Sequence, residues 1–495
     1  MAIGDANSTD NCFNALPTDI LFSILEFLSP HDILRLRQVS WELFHITQER
    51  SIWIKLLQQL CSGHDIYAAS FPLADLSVDE LENITTAGRR FTLRMRRNSV
   101  LDQKVCPRYI HTIQSSNVDE EFENMRFLPG GRFLLTTTDE NVLRLWDVGF
   151  CAHPPSQDAL AFVEIPDATA IVGLRTRAAH TSPGALIIVS STTSCAFCVH
   201  IFQISPAASA PEFTLLAPVL VLSGTEYGVI GATSRHIAVA GPVSTILWNF
   251  IDDTWVSWAR TPGEFEDAVY LCNDNILILH AASPQLFIAA VPPHVPRSSS
   301  ESPPLIENLD ILHVFPLCRF NDKTDSLVQC VSGVTLVFHG REYGTEDQPL
   351  YIDILSDECG KALFTHFVIQ RARIPSESTN TAVCSIAAVG ETVTCALYHL
   401  SHSLHLEWLD RETVQSFVVA GNTLHVCVSD VGRDSSVGGT LVTPGLQLNE
   451  RNVDFCSFSG RVCARVPLDD GDGFKVLVLD YVERKEDHLN VGDSG

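Results

Sequence analysis

Apolar residues follow two different periods along this chain. From Leu16 to about Val100 they recur every three or four positions, the spacing of helices that bury one face. Leu16-Pro17-Thr18-Asp19 opens the first such segment, with Pro17 suited to the first helical position and Asp19 complementing the positive helix start. Ile20, Ile24 and Leu28 then fall on one line, flanked by Leu21 and Leu25. Ser29-Pro30 ends this segment and starts the next: Ser29 can cap, Pro30 takes the first turn, and Asp32 makes an acidic variant of the capping box. Ile33, Leu36 and Val39 line the second helix. Trp41, Phe44 and Ile46 belong to a third, and Trp53, Ile54 and Leu57 to a fourth. All four are short and need one another, or a partner, to bury their apolar faces. Between Leu76 and Val100, Asp79, Glu80 and Glu82 precede Arg89, Arg90, Arg94, Arg96 and Arg97, the order a helix dipole favours. This segment reads as a linker helix; a basic patch for nuclear import or an acidic partner is the sharper alternative.

Beyond about residue 105 the period changes to that of strands. Arg132–Thr136, Ala185–Val189, Ile237–Ala240, Ile276–Leu279 and Phe474–Leu479 are short runs, rich in β-branched residues and bounded by Gly, Pro, Asn or Asp. No long amphipathic helix interrupts them. Many short strands over this length fit a large sandwich, stacked barrels or a propeller, and the spacing of motifs has to decide.

Composition narrows the class. The chain has 495 residues, 45% hydrophobic and 19% charged, a length that calls for two or more units. No run approaches the roughly 20 apolar residues of a membrane helix, and Met1–Asn11 is polar and acidic, unlike a signal peptide. Fifteen cysteines, an odd number, without an export signal, are expected to be reduced thiols in the cytosol or nucleus. The net charge is −26, and residues 105–495 carry 46 of the 59 acidic residues against 23 of the 33 basic ones. Such a surface repels phosphate backbones and anionic lipid, so neither nucleic acid nor membrane is an expected partner, and basic proteins are favoured.

The segment from Phe127 to Asp147 resembles a WD repeat. It has a turn at Pro129-Gly130-Gly131, a second at Asp139 and a strand closing on Trp146-Asp147. The Gly-His dipeptide expected ahead of it is missing, so the Asp–His–Ser/Thr–Trp hydrogen-bond set of the family is incomplete. Ile246-Leu247-Trp248-Asn249 and Leu406-Glu407-Trp408-Leu409-Asp410 look like worn copies of the same ending, and Val478-Leu479-Asp480 like one without its Trp. Their spacing exceeds the ~40–45 residues of an ideal repeat, which implies long loops. The resemblance implies a β-propeller of about seven degenerate blades, six or eight being alternatives, with Asp139, Trp146 and Asp147 as structural blade residues.

Leu16 to Leu57 resembles the F-box. The residues that carry the resemblance are Leu16-Pro17, Asp19-Ile20-Leu21, Ile24, Leu28, Asp32-Ile33-Leu34, Leu36, Val39-Ser40 and Ile52-Trp53, in family order. Trp41 stands where a basic residue is usual, and Ile52 replaces the commoner Leu. The resemblance implies docking on the Skp adaptor, and through it on cullin and RING subunits, by Leu16, Pro17, Ile20, Leu21, Ile24, Leu28, Ile33, Leu36, Val39 and Trp53. A helical cap packed on the rest of the chain would show the same periodicity; the ordered motif favours adaptor binding.

Other chemistry is sparse. Cys195-Ala196-Phe197-Cys198 lies in a strand-like context with no second ligand pair for zinc. No HExxH, G-x-S-x-G, P-loop or Rossmann pattern occurs. The carboxylate runs Asp119-Glu120-Glu121 and Asp469-Asp470 read as solvated turns, and Pro292–Ser302 and Gly340–Tyr343 as loops, the former mobile. The expected organisation is a disordered start (1–11), an F-box (12–60), a helical linker (61–104), an all-β WD-like propeller (105–485) and a tail (486–495). The implied function is a non-catalytic substrate receptor of an SCF-type ubiquitin ligase, with an unknown protein substrate and no cofactor or metal. A scaffold that binds proteins without promoting ubiquitination is the alternative.

Overall fold

A computed structural model describes residues 16–482, apart from 64–65, 68–69, 115–119, 151–154, 179–183, 261–265, 273–274, 281–284, 300–301, 308, 317–334, 340–349, 359–360, 373–382, 394–403, 409–412, 421–422, 431–435, 444–452 and 469–473. Five helices come first: α1 (Thr18–Leu25), α2 (Pro30–Leu36), α3 (Trp41–Ile46), α4 (Arg50–Gly63) and α5 (Val78–Val100). Three of them start on serine caps, of which the one at Ser29 is the one expected from sequence, whereas Pro17 stands at the N-cap of α1 and not at its first helical position. Ser29 Oγ accepts from the Asp32 amide at 3.3 Å, Ser40 caps α3 through the Leu43 amide, and Ser77 with Glu80 forms a complete capping box on α5. Among the described residues no helix is long and apolar enough to cross a membrane.

The remainder is antiparallel sheet. Strand β1 (Tyr109–Ile113) comes first in the chain but does not pair with its sequence neighbours. Blade 1 is β2 (Phe122–Phe127), β3 (Phe133–Thr138), β4 (Val142–Asp147) and β5 (Ala161–Glu164). Blade 2 is β6 (Ala170–Ala178), β7 (Ala185–Thr192) and β8 (Ala196–Ile204), with β9 (Thr214–Leu215) and β10 (Leu220–Ser223) both on the outer edge of β8. Blade 3 is β11 (Gly228–Ala232), β12 (His236–Ala240), β13 (Ser244–Asn249) and β14 (Thr254–Ala259). Blade 4 is β15 (Glu266–Cys272), β16 (Asn275–His280) and β17 (Gln285–Ala290); after an excursion through β18 (Val295–Pro296) and β19 (Leu305–Ile306) it is completed by β20 (Ile311–Pro316). Blade 5 is β21 (Thr335–His339), β22 (Leu350–Glu358), β23 (Lys361–Ala372) and β24 (Val383–Val393); blade 6 is β25 (Leu404–Trp408), β26 (Thr413–Ala420), β27 (Thr423–Asp430) and β28 (Ser436–Leu441). Blade 7 is β29 (Val453–Cys456), β30 (Arg461–Pro467) and β31 (Phe474–Asp480), completed on its outer edge by β1.

The first strands of the blades form the inner ring. β2 lies against β29 and β6, β15 against β11 and β21, and β21 against β25. Arg175 and Arg177 of β6 donate to the Val229 and Ala232 carbonyls of β11, and Phe417 stacks on Phe455 between blades 6 and 7. The result is a β-propeller with seven sheets among the described residues. Its last blade mixes strands from both ends of the sheet region, so closure depends on the first segment returning to the last. Arg461 reinforces that seam. Its buried guanidinium pairs with Asp480 at 3.2 Å and donates to the Gly131 and Gly149 carbonyls of blade 1.

The five strand runs expected from sequence lie in strands, save Arg132, which precedes β3. Three expectations need correction. Trp408 ends the first strand of blade 6, not the third, so its segment is not a copy of the Trp146-Asp147 ending; Leu409 and Asp410 lie outside the described residues. Glu120 is not solvated: its side chain is buried in an ion pair with Arg144, which offsets the cost of desolvating the carboxylate. Asp119 and Asp469-Asp470 lie outside the described residues. The 292–302 stretch is not wholly loop, because β18 within it pairs with β14; residues 300–301 lie outside the described residues. Gly340–Tyr343 lies outside the described residues.

Candidate functional site

The short helices cannot close a core alone, and their burial shows where the missing surface comes from. Leu25, Ile33, Trp53, Leu56 and Leu57 form one cluster with Leu81 and Ile84 of α5 and with Phe122, Phe127, Trp146 and Phe458 of the propeller. Trp53 is wholly buried; its Nε1 donates to the Thr47 carbonyl at 2.8 Å, and the Arg37 guanidinium lies 5.7 Å from its ring centre. Arg37 in turn pairs with the buried Glu82 of α5 at 2.8 Å, a contact shielded from solvent on both sides. One face of the helical module is therefore internal to the chain.

Other apolar side chains of the module are not covered. Phe27 is 89% exposed, Val39 71%, Trp41 70% and Ile20 44%. Trp41 and Phe44 stack with their planes 6° apart, and His45 meets Trp41 edge-on. Exposed large apolar side chains on and beside helices of at most eight residues are the kind of surface that marks protein contact. The acids Asp19, Asp32 and Glu42 lie in the first turns of these helices. The Glu42 carboxyl is held below its ordinary pKa by its own backbone amide and the Ser40 hydroxyl.

The ten residues expected at an adaptor contact divide between these environments. Pro17, Ile20 and Val39 are exposed; Leu16, Ile24, Leu28 and Leu36 are half-buried; Leu21, Ile33 and Trp53 are buried. The buried three can act on a partner only by fixing the helices that present the others. Phe27 and Trp41 are absent from the expected set. Trp41 enters the motif only as a departure from it; Phe27, seven residues after Ile20, falls on the same stripe by helical spacing but lies beyond the end of α1 at Leu25 and belongs to no motif position.

The linker and the first blade join the module to the propeller. Phe91 of α5 packs on Phe417 and Phe455, and the buried Gln415 donates to Thr92 Oγ1 at 2.7 Å. Arg94 donates to the Tyr481 and Cys106 carbonyls, so one member of the basic run is committed to the seam between α5 and blade 7. Phe71 and Ile66, after α4, press on the β2–β3 turn at Gly130, where φ is +101° and a Cβ would sit 2.8 Å from the Ile66 methyl. Only glycine satisfies both conditions.

In blade 1, Trp146 Nε1 donates to Thr136 Oγ1 at 2.9 Å. Asp139 accepts from the Glu121 amide at 2.9 Å, which ties the β3–β4 turn to the entry of β2 in place of a histidine. Asp147 takes the Arg132 guanidinium, whose remaining nitrogen donates to the Ser70 carbonyl of the helical module. Cys195 is exposed at the start of β8 and Cys198 is buried within it; the buried Cys61 thiol of α4 is pushed up to about 12 by desolvation.

Residues 13–59 match the F-box-like family model. No curated protein matches the chain. Among solved structures, the chain is similar to the β-propeller domain of Cps50 (Swd1) from Myceliophteria thermophila, at 11% identity over 75% of this chain and 99% of that one, with a TM-score of 0.44. It is also similar to the AfRom2 CNH domain, at 9% identity over 76% of this chain and 100% of that one, with a TM-score of 0.38. At these identities neither likeness bears on function.

Proposed function

We propose that this chain is a non-catalytic substrate-recognition subunit of an SCF-type ubiquitin ligase. Its F-box-like helices dock on a Skp adaptor, which joins cullin and RING subunits, and its propeller holds a protein substrate. The observation that carries this reading is the division of the helical module: one apolar face is spent on the chain's own propeller, while Ile20, Phe27, Val39 and Trp41 remain exposed. A mere cap would need only the first face. In this role the chain raises the local concentration of substrate lysines near the charged ubiquitin, and the bond-making groups belong to other subunits.

The test is co-purification of tagged chain with adaptor and cullin, beside the variant Pro17→Ala, Val39→Asp, Trp41→Ala. Intact chain retaining both subunits, and the variant losing them while keeping its far-ultraviolet spectrum, supports the reading. Absence of the adaptor from the intact chain defeats it. Retention of both subunits with no protein accumulating under ligase inhibition favours the scaffold alternative.

A further inference from the structure

The outer edge of blade 3 is occupied by a segment that belongs to blade 4. After β17 the chain crosses back, lays β18 antiparallel on Thr254–Trp255 and β19 parallel on Ser257–Trp258, then returns to β20. The two short strands cover the row of amides and carbonyls that an outer strand otherwise presents. The Ser257 amide donates to the Pro304 carbonyl at 2.9 Å, and the Arg297 amide to the Asp253 carbonyl at 3.0 Å.

Arg297 is the anchor, and it sits in a slot built by other elements. Its Nε lies 3.1 Å from Asp253 Oδ1, its Nη1 donates to the Val219 carbonyl at 3.1 Å, and its guanidinium stands 5.5 Å from the Trp248 ring centre. Asp253 is aimed at this place by its own backbone. It adopts φ +48°, a left-handed conformation that Asp tolerates better than most residues, and its carboxylate also accepts from Trp248 Nε1 at 3.1 Å. A carboxylate, an indole face and a carbonyl around one planar cation form a guanidinium-recognition site, since a guanidinium reaches the carboxylate through Nε and the carbonyl through Nη1 while its plane meets the indole, which a single ammonium does not do.

We infer that this slot and the β14 edge form a peptide-docking surface, occupied in this structure by the chain's own Val295-Pro296-Arg297 as a built-in competitor. The partner is an extended basic segment of another protein, with arginine after proline, adding to β14 as a strand. Charge complementarity supports that choice: residues 105–495 hold twice as many acidic as basic residues, 46 against 23. The inference stands apart from adaptor docking, which uses the helical module.

The probe is a labelled synthetic peptide with the sequence of residues 292–299, and a control in which its arginine is replaced by alanine. Full-length Arg297→Ala, whose slot is vacated, is expected to bind the arginine peptide on the order of tenfold more tightly than wild type does. Asp253→Asn added to that variant removes the gain, and the control peptide shows none. Equal binding of both peptides, or indifference to Asp253→Asn, overturns the inference and leaves a fixed intramolecular staple. Should Arg297→Ala fail to fold, hydrogen exchange of the wild-type Arg297 amide decides: it quickens under excess arginine peptide if the segment is displaced, and an unchanged rate overturns the inference.

Discussion

Trp41 and Trp53 are close in sequence, both belong to the helical module, and do opposite work. Trp53 contributes its whole surface to the chain's own core and donates its only polar hydrogen to Thr47. Truncating it leaves a large cavity and removes one of the two hydrogen bonds to the Thr47 carbonyl, which Arg37 keeps, so Trp53→Ala is expected to cost about 3–5 kcal/mol of stability. Trp41 is mostly in solvent and rests on Phe44 and His45. Trp41→Ala is expected to change stability by no more than ~0.5 kcal/mol, while weakening adaptor binding by about tenfold to a hundredfold if the exposed side chains are the contact. Thermal unfolding and adaptor titration of the two variants check both halves. A large loss of stability in Trp41→Ala would show that its exposure misrepresents its role. The sequence motif puts both tryptophans in the right segment, but a periodic pattern records only that a residue is apolar. It does not say whether the chain or a partner covers it.

At the scale of elements, local chemistry was legible and long-range pairing was not. Ser29, Pro30 and Asp32 mark a helix start because the capping bonds span three residues. The strand-like runs were legible for the same reason, since alternation is local. The excursion over β14 was not, because Pro- and Ser-rich composition signals only a lack of regular structure, and edge pairing depends on residues some forty positions away. The root of this excursion is expected to respond to pH. His236 of β12 and His294, just before β18, have ring centres 5.5 Å apart, and His294 Nε2 is buried with no hydrogen-bond partner among the described residues. Burial, then His294 and Arg235, pull His236 down to about 4, with Asp252 opposing; burial also lowers His294, against the Pro292 carbonyl and Asp252. Both imidazoles are thus held neutral when the segment is docked. Docking is fully favoured above the ordinary value near 6.5 and is lost progressively as pH falls from there toward about 4. The expected limiting slope is about 1.4 kcal/mol per pH unit for each proton taken up on release. Hydrogen exchange at the Ser257 amide, corrected for intrinsic rate, should show opening that grows over this window. His236→Phe with His294→Gln should flatten it, and an unchanged slope in that pair would remove the histidines from the account.

The proposed receptor role requires the two parts to be mechanically one, because a tethered lysine gains from proximity in proportion to how narrowly the tether holds it. The contacts that couple them are specific. Phe91 and Thr92 of α5 engage Phe417, Phe455 and Gln415; Phe71 packs on Phe150 and Phe458; Arg132 reaches Ser70; Arg94 reaches Tyr481. The sequence reading has the charged helix as a linker between the F-box-like motif and the strand region, but none of these particular contacts was readable from it. They come from the module being too small to bury its own inner face. The intact chain should therefore lose helical ellipticity and the emission of the propeller indoles Trp146, Trp248, Trp255 and Trp258 in one transition. Phe71→Ala with Phe91→Ala removes two large buried side chains from the seam, each costing about 3–5 kcal/mol. In that variant the helical signal should melt first, at a temperature clearly below the indole transition. A single transition merely shifted downward would mean that the seam holds through its polar bonds, Gln415 to Thr92 and Arg94 to Tyr481. The next pair of substitutions would then belong there.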